Sequence, residues 1–128
     1  MKKLYLTLVP AILALQGLLA ALAPNRFIQG GAAMVDAGQL HAVRSLGGLY
    51  LGVAVFLAVA RFTPAMQEAG ILAAVLAMAG LIAGRTVSFI ADGLIVPGLI
   101  ASVLVEAAFL SWGLILLRRG TLRSTPQG

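Results

Sequence analysis

Four apolar runs, each long enough to form a membrane-spanning helix, take up nearly all of this 128-residue chain. A span needs about 20 largely apolar residues to cross about 30 Å of hydrocarbon. The runs are expected at about residues 4–23, 39–60, 66–90 and 94–117. Residues 118–128 are more polar and are predicted to form a cytoplasmic tail. The sequence therefore predicts a single membrane domain of the all-α class, a four-helix transmembrane bundle with no room for a soluble domain.

The first run has two interpretations. Its basic start at residues 1–3, its apolar middle and its small-residue end at residues 21–23 are typical of a cleaved secretory signal peptide. However, Pro24 would follow the cut, where proline is poorly tolerated, and the run is longer than the apolar part of a signal peptide. We therefore expect this run to be retained as a span.

The composition excludes several kinds of site. Hydrophobic residues make up 61% of the chain and charged residues only 10%. Because there is no cysteine, disulfides, thiolate catalysis and iron–sulfur or cysteine-ligated zinc sites are excluded. The one histidine, His41, cannot build a multi-histidine metal site. With no phosphate-binding loop, catalytic triad or dinucleotide fingerprint either, we expect no enzyme activity, no catalytic residue, no metal and no cofactor.

Basic residues collect on one side of the predicted bundle. That side carries Lys2, Lys3, Arg61, Arg118, Arg119 and Arg123, whereas the loops of the other side carry Arg26, Asp36 and Asp92. The net charge of +5 could suggest nucleic acid, but these cations flank apolar runs instead of forming a surface stripe. The positive-inside rule therefore predicts cytoplasmic termini, a location in the bacterial inner membrane, and no nucleic-acid partner.

Arg44, Arg85, Asp92 and Glu106 lie inside or at the edge of the apolar runs. A charge at bilayer depth costs roughly 2.5 to 17 kcal/mol, so such residues are retained when they pair, line a wet cavity or carry function. Side chains tilt toward the N-terminus of their helix. On antiparallel helices this tilt brings Arg85 toward Glu106, and it carries Arg44 toward Asp92. We therefore predict two ion pairs, Arg85–Glu106 and Arg44–Asp92, in the outer half of the bundle.

Glycines four residues apart form stripes on the second and third runs. Gly48 and Gly52 make one G-x-x-x-G motif, and Gly80 and Gly84 make another. Such glycines let helices approach closely in lipid. We predict helix-packing roles for all four, with the two stripes facing one another. Arg44 continues the first stripe at helical spacing, which would place it on the interior face.

Some single residues also have expected positions. Gln16, in the first run, is predicted to hydrogen-bond a neighbouring helix and could join the polar interior. Tyr50 is expected at about the depth of Glu106. Tyr5 and Trp112 lie toward the predicted cytoplasmic boundary, where aromatic rings commonly anchor a membrane protein.

Two motifs carry a resemblance. The first, R-x-x-G-G-L-Y-x-G, begins at Arg44, and the second, G-R-x-x-S-x-x-x-D-G, begins at Gly84; Glu106 follows later in the chain. Over nearly its whole length the chain resembles the bacterial membrane family known as domain of unknown function 4345. The resemblance implies a small four-helix membrane protein and no particular activity. It also implies that the signature positions of the family correspond to Arg44, Gly48, Arg85, Ser88 and Asp92.

Three functions remain open at this point. In the first, a binding or accessory protein, an outward-facing pocket holds a small polar or amphipathic ligand or a partner helix. Its ligand-binding residues would be Arg44, Arg85, Ser88, Asp92 and Glu106. In the second, a structural subunit, the charges are internal staples and the protein forms homo-oligomers or joins a membrane partner. In the third, a small transporter or intramembrane enzyme, Glu106 carries protons, although four spans give little wall for alternating access.

Overall fold

The computed structural model describes residues 1–27, 36–93 and 97–121, which are almost entirely helical. Helix α1 spans Lys2–Leu22 and the single turn α2 spans Pro24–Phe27. Helix α3 spans Ala37–Phe62, a 3-10 turn follows at Pro64–Met66, α4 spans Gln67–Asp92 and α5 spans Pro97–Thr121. Within these ranges no strand is present, and the predicted all-α class is confirmed.

Four segments of the described chain are long and apolar enough to cross a membrane: α1, α3, residues 64–91 and residues 100–120. The chain is therefore a multi-pass membrane protein built from four long helices. The helix bounds differ slightly from the expected spans. Helix α3 begins two residues before the second predicted span, and α5 continues to Thr121, beyond the predicted start of the tail.

Local hydrogen bonds and backbone angles explain two of these helix ends. At the start of α3, the Asp36 carboxylate accepts a hydrogen bond from the Gln39 backbone at 2.8 Å. The Gln39 side chain accepts one from the Asp36 backbone at 3.2 Å, which completes a capping box. At the end of α4, Gly93 adopts a left-handed conformation with φ of 63°, where glycine carries no steric penalty.

The long helices form two close pairs. Helix α1 packs along α3, and α4 packs along α5, while α3 joins the pairs through α4. The backbones of α1 and α5 approach one another at few points, although the Tyr5 ring of α1 packs against aromatic rings of α5. The backbones of α3 and α5 do not approach one another in the part of the chain that the structure describes. The bundle is therefore tightly closed on the sides of α3 and α4 and loosely closed along the seam between α1 and α5.

The closest helix contact uses glycines outside the predicted stripes. Gly17 of α1 and Gly47 of α3 meet backbone to backbone, and a Cβ added to Gly47 would lie 2.7 Å from the Gly17 carbonyl oxygen. Such an approach is possible only where neither residue carries a side chain. Gly17 and Gly47 therefore set the separation of the first helix pair.

The packing role predicted for the two G-x-x-x-G stripes is wrong within this chain. Gly48, Gly52, Gly80 and Gly84 are all exposed, and a Cβ added at any of them would meet nothing within 4 Å. On α3 the buried positions are Gly47, Tyr50, Ala54, Leu57 and Ala60. At 100° per residue, the stripe of Gly48 and Gly52 lies on nearly the opposite side of α3 from the middle of that buried face.

Tyr5 lies in the core instead of at a membrane boundary. It is 0% exposed, and its ring meets Trp112 edge to face with centroids 5.4 Å apart. Phe109 stacks on Trp112 at 6.2 Å, and aromatic pairs favour both arrangements. The expectation that Tyr5 anchors the protein at the interface is therefore wrong, and Trp112 is half-buried in the same cluster.

Candidate functional site

An ion pair joins α4 to α5 inside the bundle. Arg85 Nη2 lies 3.0 Å from Glu106 Oε1, and the two side chains are 21% and 5% exposed. This is one of the two pairs expected from the direction in which helical side chains tilt, and the contact between these residues is confirmed.

Helical register explains why both charges point inward. Arg85 lies seven residues after the buried Met78 on α4, and Glu106 lies seven residues before the buried Gly113 on α5. Residues at this spacing share one face of a helix. Both ionic side chains therefore lie on the faces by which α4 and α5 pack, and they meet next to the apolar core.

The pair leaves hydrogen-bonding capacity unused. Glu106 Oε2 and Arg85 Nε are buried and have no hydrogen-bond partner among the described residues. Tyr50 of α3 is buried and interacts electrostatically with both residues. Glu106 therefore keeps acceptor capacity that no described residue uses, and a buried polar atom without a partner is costly.

A cleft of about 240 Å³ opens beside this carboxylate. It lies along the loose seam between α1 and α5, and Met78 of α4 closes it on the inside. The lining residues are Val9, Ile12, Gln16, Met78, Ala101, Ser102, Val105, Glu106 and Phe109. The walls are thus apolar, with three polar side chains.

The polar groups of the cleft differ in what they already bond. The Ser102 hydroxyl donates to the Gly98 carbonyl oxygen at 3.0 Å, so its oxygen remains available as an acceptor. The Gln16 amide is half-buried and makes no hydrogen bond to any described residue, so the hydrogen bond predicted between it and a neighbouring helix is not formed. Together with Glu106, these groups offer several acceptors and one amide donor in an otherwise apolar space.

The other predicted ligand-binding residues lie outside the cleft. Arg44 is exposed on α3, not on the interior face as expected, and has no ion-pair partner in the described ranges. Arg44 lies four residues before Gly48 and therefore on the same face of α3, which points away from the bundle. Ser88 is half-buried on α4. The side chain of Asp92 lies outside the described residues, so the Arg44–Asp92 pair remains a prediction.

The structure brings together residues that sequence reasoning singled out only in part. Glu106, Arg85 and Gln16 were recognised as polar residues in apolar runs, whereas Ser102 was not assigned to the site. Ser102 lies four residues before Glu106, which is the spacing of neighbours on one helix face and could have indicated it. Within the described ranges, no group of three or more His, Asp or Glu side chains could hold a metal ion.

A comparison with known protein families finds a match. A family model described as a domain of unknown function, DUF4345, matches residues 1–117. The chain belongs to this family. The DUF4345 match covers all four long helices, α5 almost to its end, and therefore includes the cleft and the Arg85–Glu106 pair. No curated protein and no solved structure matches the chain.

Proposed function

We propose that this protein is a binding protein of the bacterial inner membrane that holds part of an amphipathic molecule in the cleft between α1 and α5. Glu106 accepts a hydrogen bond from the head of the ligand, Arg85 holds the carboxylate in place, and the apolar walls cover the adjoining hydrocarbon. Binding, without catalysis, is the function proposed. The proposed partner is a molecule of the surrounding lipid phase.

One observation carries this proposal. The Glu106 carboxylate is almost completely buried, borders the cleft and has an oxygen with no hydrogen-bond partner among the described residues. Since Arg85 already balances its charge, a second cation would be less favourable than a neutral donor. We therefore expect the head of the ligand to be a hydroxyl or amide group.

The size of the cleft limits how much of the ligand it encloses. At about 240 Å³, it is smaller than the pockets of about 300–1,000 Å³ that enclose whole drug-sized molecules. The cleft is therefore suited to a head group and the first part of a chain. The rest of the ligand would lie along the α1–α5 seam, against lipid.

Orientation forms the second part of the proposal. Lys2, Arg61 and Arg119 lie at one end of the bundle, because Lys2 contacts Glu68 and Glu68 lies beside Gly120. By the positive-inside rule this end faces the cytoplasm. The cleft, which extends from Val9 toward Gln16, then lies in the middle and outer part of the membrane.

A pair of variants on α5 tests the binding site. Ala101 lines the cleft and is exposed, so Ala101→Phe would fill the space without altering the ion pair. Ala108 is exposed on the same helix but does not line the cleft, so Ala108→Phe is the matched control. Trp112, the only tryptophan, stacks on the cleft residue Phe109 and provides a fluorescent signal.

The probe is a brominated long-chain alcohol added to nanodiscs, compared with its methyl ether, which cannot donate a hydrogen bond. We expect the alcohol to quench Trp112 at lower mole fractions than the ether does. Ala101→Phe should remove this difference and Ala108→Phe should retain it. Equal quenching by alcohol and ether in the unmodified protein would contradict the proposal, as would a difference that survives Ala101→Phe.

A structural subunit is the second candidate, because the buried Arg85–Glu106 pair joins two helices as a staple would. The exposed glycine faces of α3 and α4 also leave room for a second copy or another membrane protein. Native mass spectrometry from mild detergent separates the two candidates. A stable complex with another polypeptide supports the subunit role, whereas a monomer that retains a small lipophilic molecule supports binding.

A further inference from the structure

A second recess lies at the other end of the bundle, where α1 begins and α5 ends. Its volume is about 410 Å³, and it is lined by Met1, Lys2, Lys3, Leu116, Arg119 and Gly120. Leu116 is buried and closes the inner end. Three of the lining side chains are cationic, so this recess differs in chemistry from the apolar cleft.

The charges around the recess are only partly balanced. Glu68 of α4 pairs with Lys2, and its carboxylate lies beside Gly120, where it would obstruct an added Cβ. Lys3 and Arg119 have no ionic partner in the part of the chain that the structure describes. With three cations against one carboxylate, the recess keeps a net positive charge.

The two unpaired cations come from opposite ends of the chain. Lys3 lies in the first turn of α1, and Arg119 lies in the last turn of α5. Both line the same recess, so an anion that enters it has a cation from each of the two helices beside it. A phosphate group satisfies both, because arginine binds its oxygens through a planar fork and lysine acts as a point charge.

We propose that this recess binds a phosphate group through Lys3 and Arg119, with Lys2 held nearby by Glu68. The source of the phosphate is either the head group of an anionic phospholipid or a soluble phosphate ester. Leu116, in the last turns of α5, would lie against the first carbons of the lipid's acyl chains. This site is separate from the cleft at Glu106 and does not depend on the function proposed for that cleft.

Two neighbouring arginines provide a matched test. Arg119 lines the recess, whereas Arg118 is exposed beside it and does not. In native mass spectrometry of protein released from membranes containing phosphatidylglycerol, Arg119→Gln should weaken lipid affinity about ten-fold, the effect of losing a hydrogen bond to a charged group. Lys3→Gln should act similarly. Arg118→Gln, which removes the same charge, should bind as the unmodified protein does.

A variant that should increase lipid binding strengthens the test. Glu68→Gln removes the carboxylate that competes for Lys2, so phosphatidylglycerol binding should increase. Equal losses in Arg119→Gln and Arg118→Gln would overturn the proposal, because they would show a general attraction to negative charge. Circular dichroism and gel filtration identify any variant that fails to fold, and the Lys3 and Glu68 variants then decide the outcome.

The source of the phosphate is found by competition. Glycerol 3-phosphate is added at increasing concentration to the complex with phosphatidylglycerol. Displacement at millimolar concentration assigns the site to a soluble phosphate ester, and retention of the lipid assigns it to a phospholipid head group. Absence of both ligands from the unmodified protein would contradict the proposal.

Discussion

Arg85 and Glu106 each depend on the other for a stable place inside the bundle. Replacing Glu106 with glutamine would leave the Arg85 guanidinium buried without a counter-charge, which costs about 3–5 kcal/mol. We expect Glu106→Gln to lower the free energy of unfolding by that order of magnitude. The double variant Arg85→Gln/Glu106→Gln should recover most of the loss, because it removes both charges. Unfolding in mixed micelles, followed by far-ultraviolet circular dichroism, measures both effects.

The comparison with the double variant is the informative part of that experiment. Arg85→Gln alone completes a double-mutant cycle, in which the coupling energy is the loss of the double variant minus the sum of the two single losses. If the two single losses add up to the loss of the double variant, the ion pair contributes no coupling energy and the staple interpretation fails. Arg118→Gln serves as the control, since Arg118 is exposed and has no ion pair in the described ranges. It should change stability by less than about 0.5 kcal/mol, as is usual for surface positions.

Gly47 and Gly48 are sequence neighbours with opposite surroundings. A Cβ on Gly47 would lie 2.7 Å from the Gly17 carbonyl oxygen, whereas one on Gly48 would meet nothing within 4 Å. Gly47→Ala should therefore destabilise the protein by about 1–3 kcal/mol through overpacking against backbone. Gly48→Ala should be neutral or stabilise by up to about 1 kcal/mol, since alanine favours a helix over glycine. Thermal unfolding in detergent compares them directly, and equal melting temperatures would exclude the close α1–α3 contact.

At the scale of the element, the start of α3 depends on a local cap. Asp36 and Gln39 exchange hydrogen bonds that satisfy backbone groups at the helix end. Asp36→Ala should lower the free energy of unfolding by about 1 kcal/mol. Asp36→Asn and Asp36→Ser should be nearly as stable as the unmodified protein, because both side chains still accept the hydrogen bond from the backbone N–H. Hydrogen exchange of the first turn of α3 provides the measurement. Unchanged protection in Asp36→Ala would show that the cap does not hold this turn.

The positions of the helices could be predicted from the sequence better than the faces by which the helices pack. Helices α1, α3, α4 and α5 follow from apolar length alone, because lipid leaves few other ways to satisfy a backbone. The Arg85–Glu106 contact was predictable because antiparallel helices tilt their side chains in opposite senses. The glycine stripes misled because a G-x-x-x-G motif specifies that a helix can pack closely, not which face its neighbour occupies.

The cleft could not be predicted from the sequence, for a related reason. Its existence depends on α1 and α5 being loosely joined while α1 and α3 are tightly joined, and hydropathy does not distinguish neighbouring helices from diagonal ones. Tyr5 shows the same limit. An aromatic ring near a helix end serves equally well at an interface or in a core, and contact with Phe109 and Trp112 places it in the core.

For the whole molecule, the proposed orientation rests on the distribution of charge and is directly testable. The chain has no cysteine, so single cysteines can report on each side. Ala37 and Ala65 are exposed positions next to opposite ends of α3. In spheroplasts, an impermeant maleimide should label Ala37→Cys at once and Ala65→Cys only after permeabilisation. The reverse pattern would show that the termini face outward.

The loose seam between α1 and α5 also determines which concentration governs occupancy of the cleft. In a bilayer the open side of this cleft would face hydrocarbon, so the proposed ligand would arrive by diffusion in the plane of the bilayer. Its occupancy then follows its mole fraction in the lipid and not its concentration in water. Dilution of protein and ligand with buffer should leave such a site filled, whereas dilution with lipid should empty it.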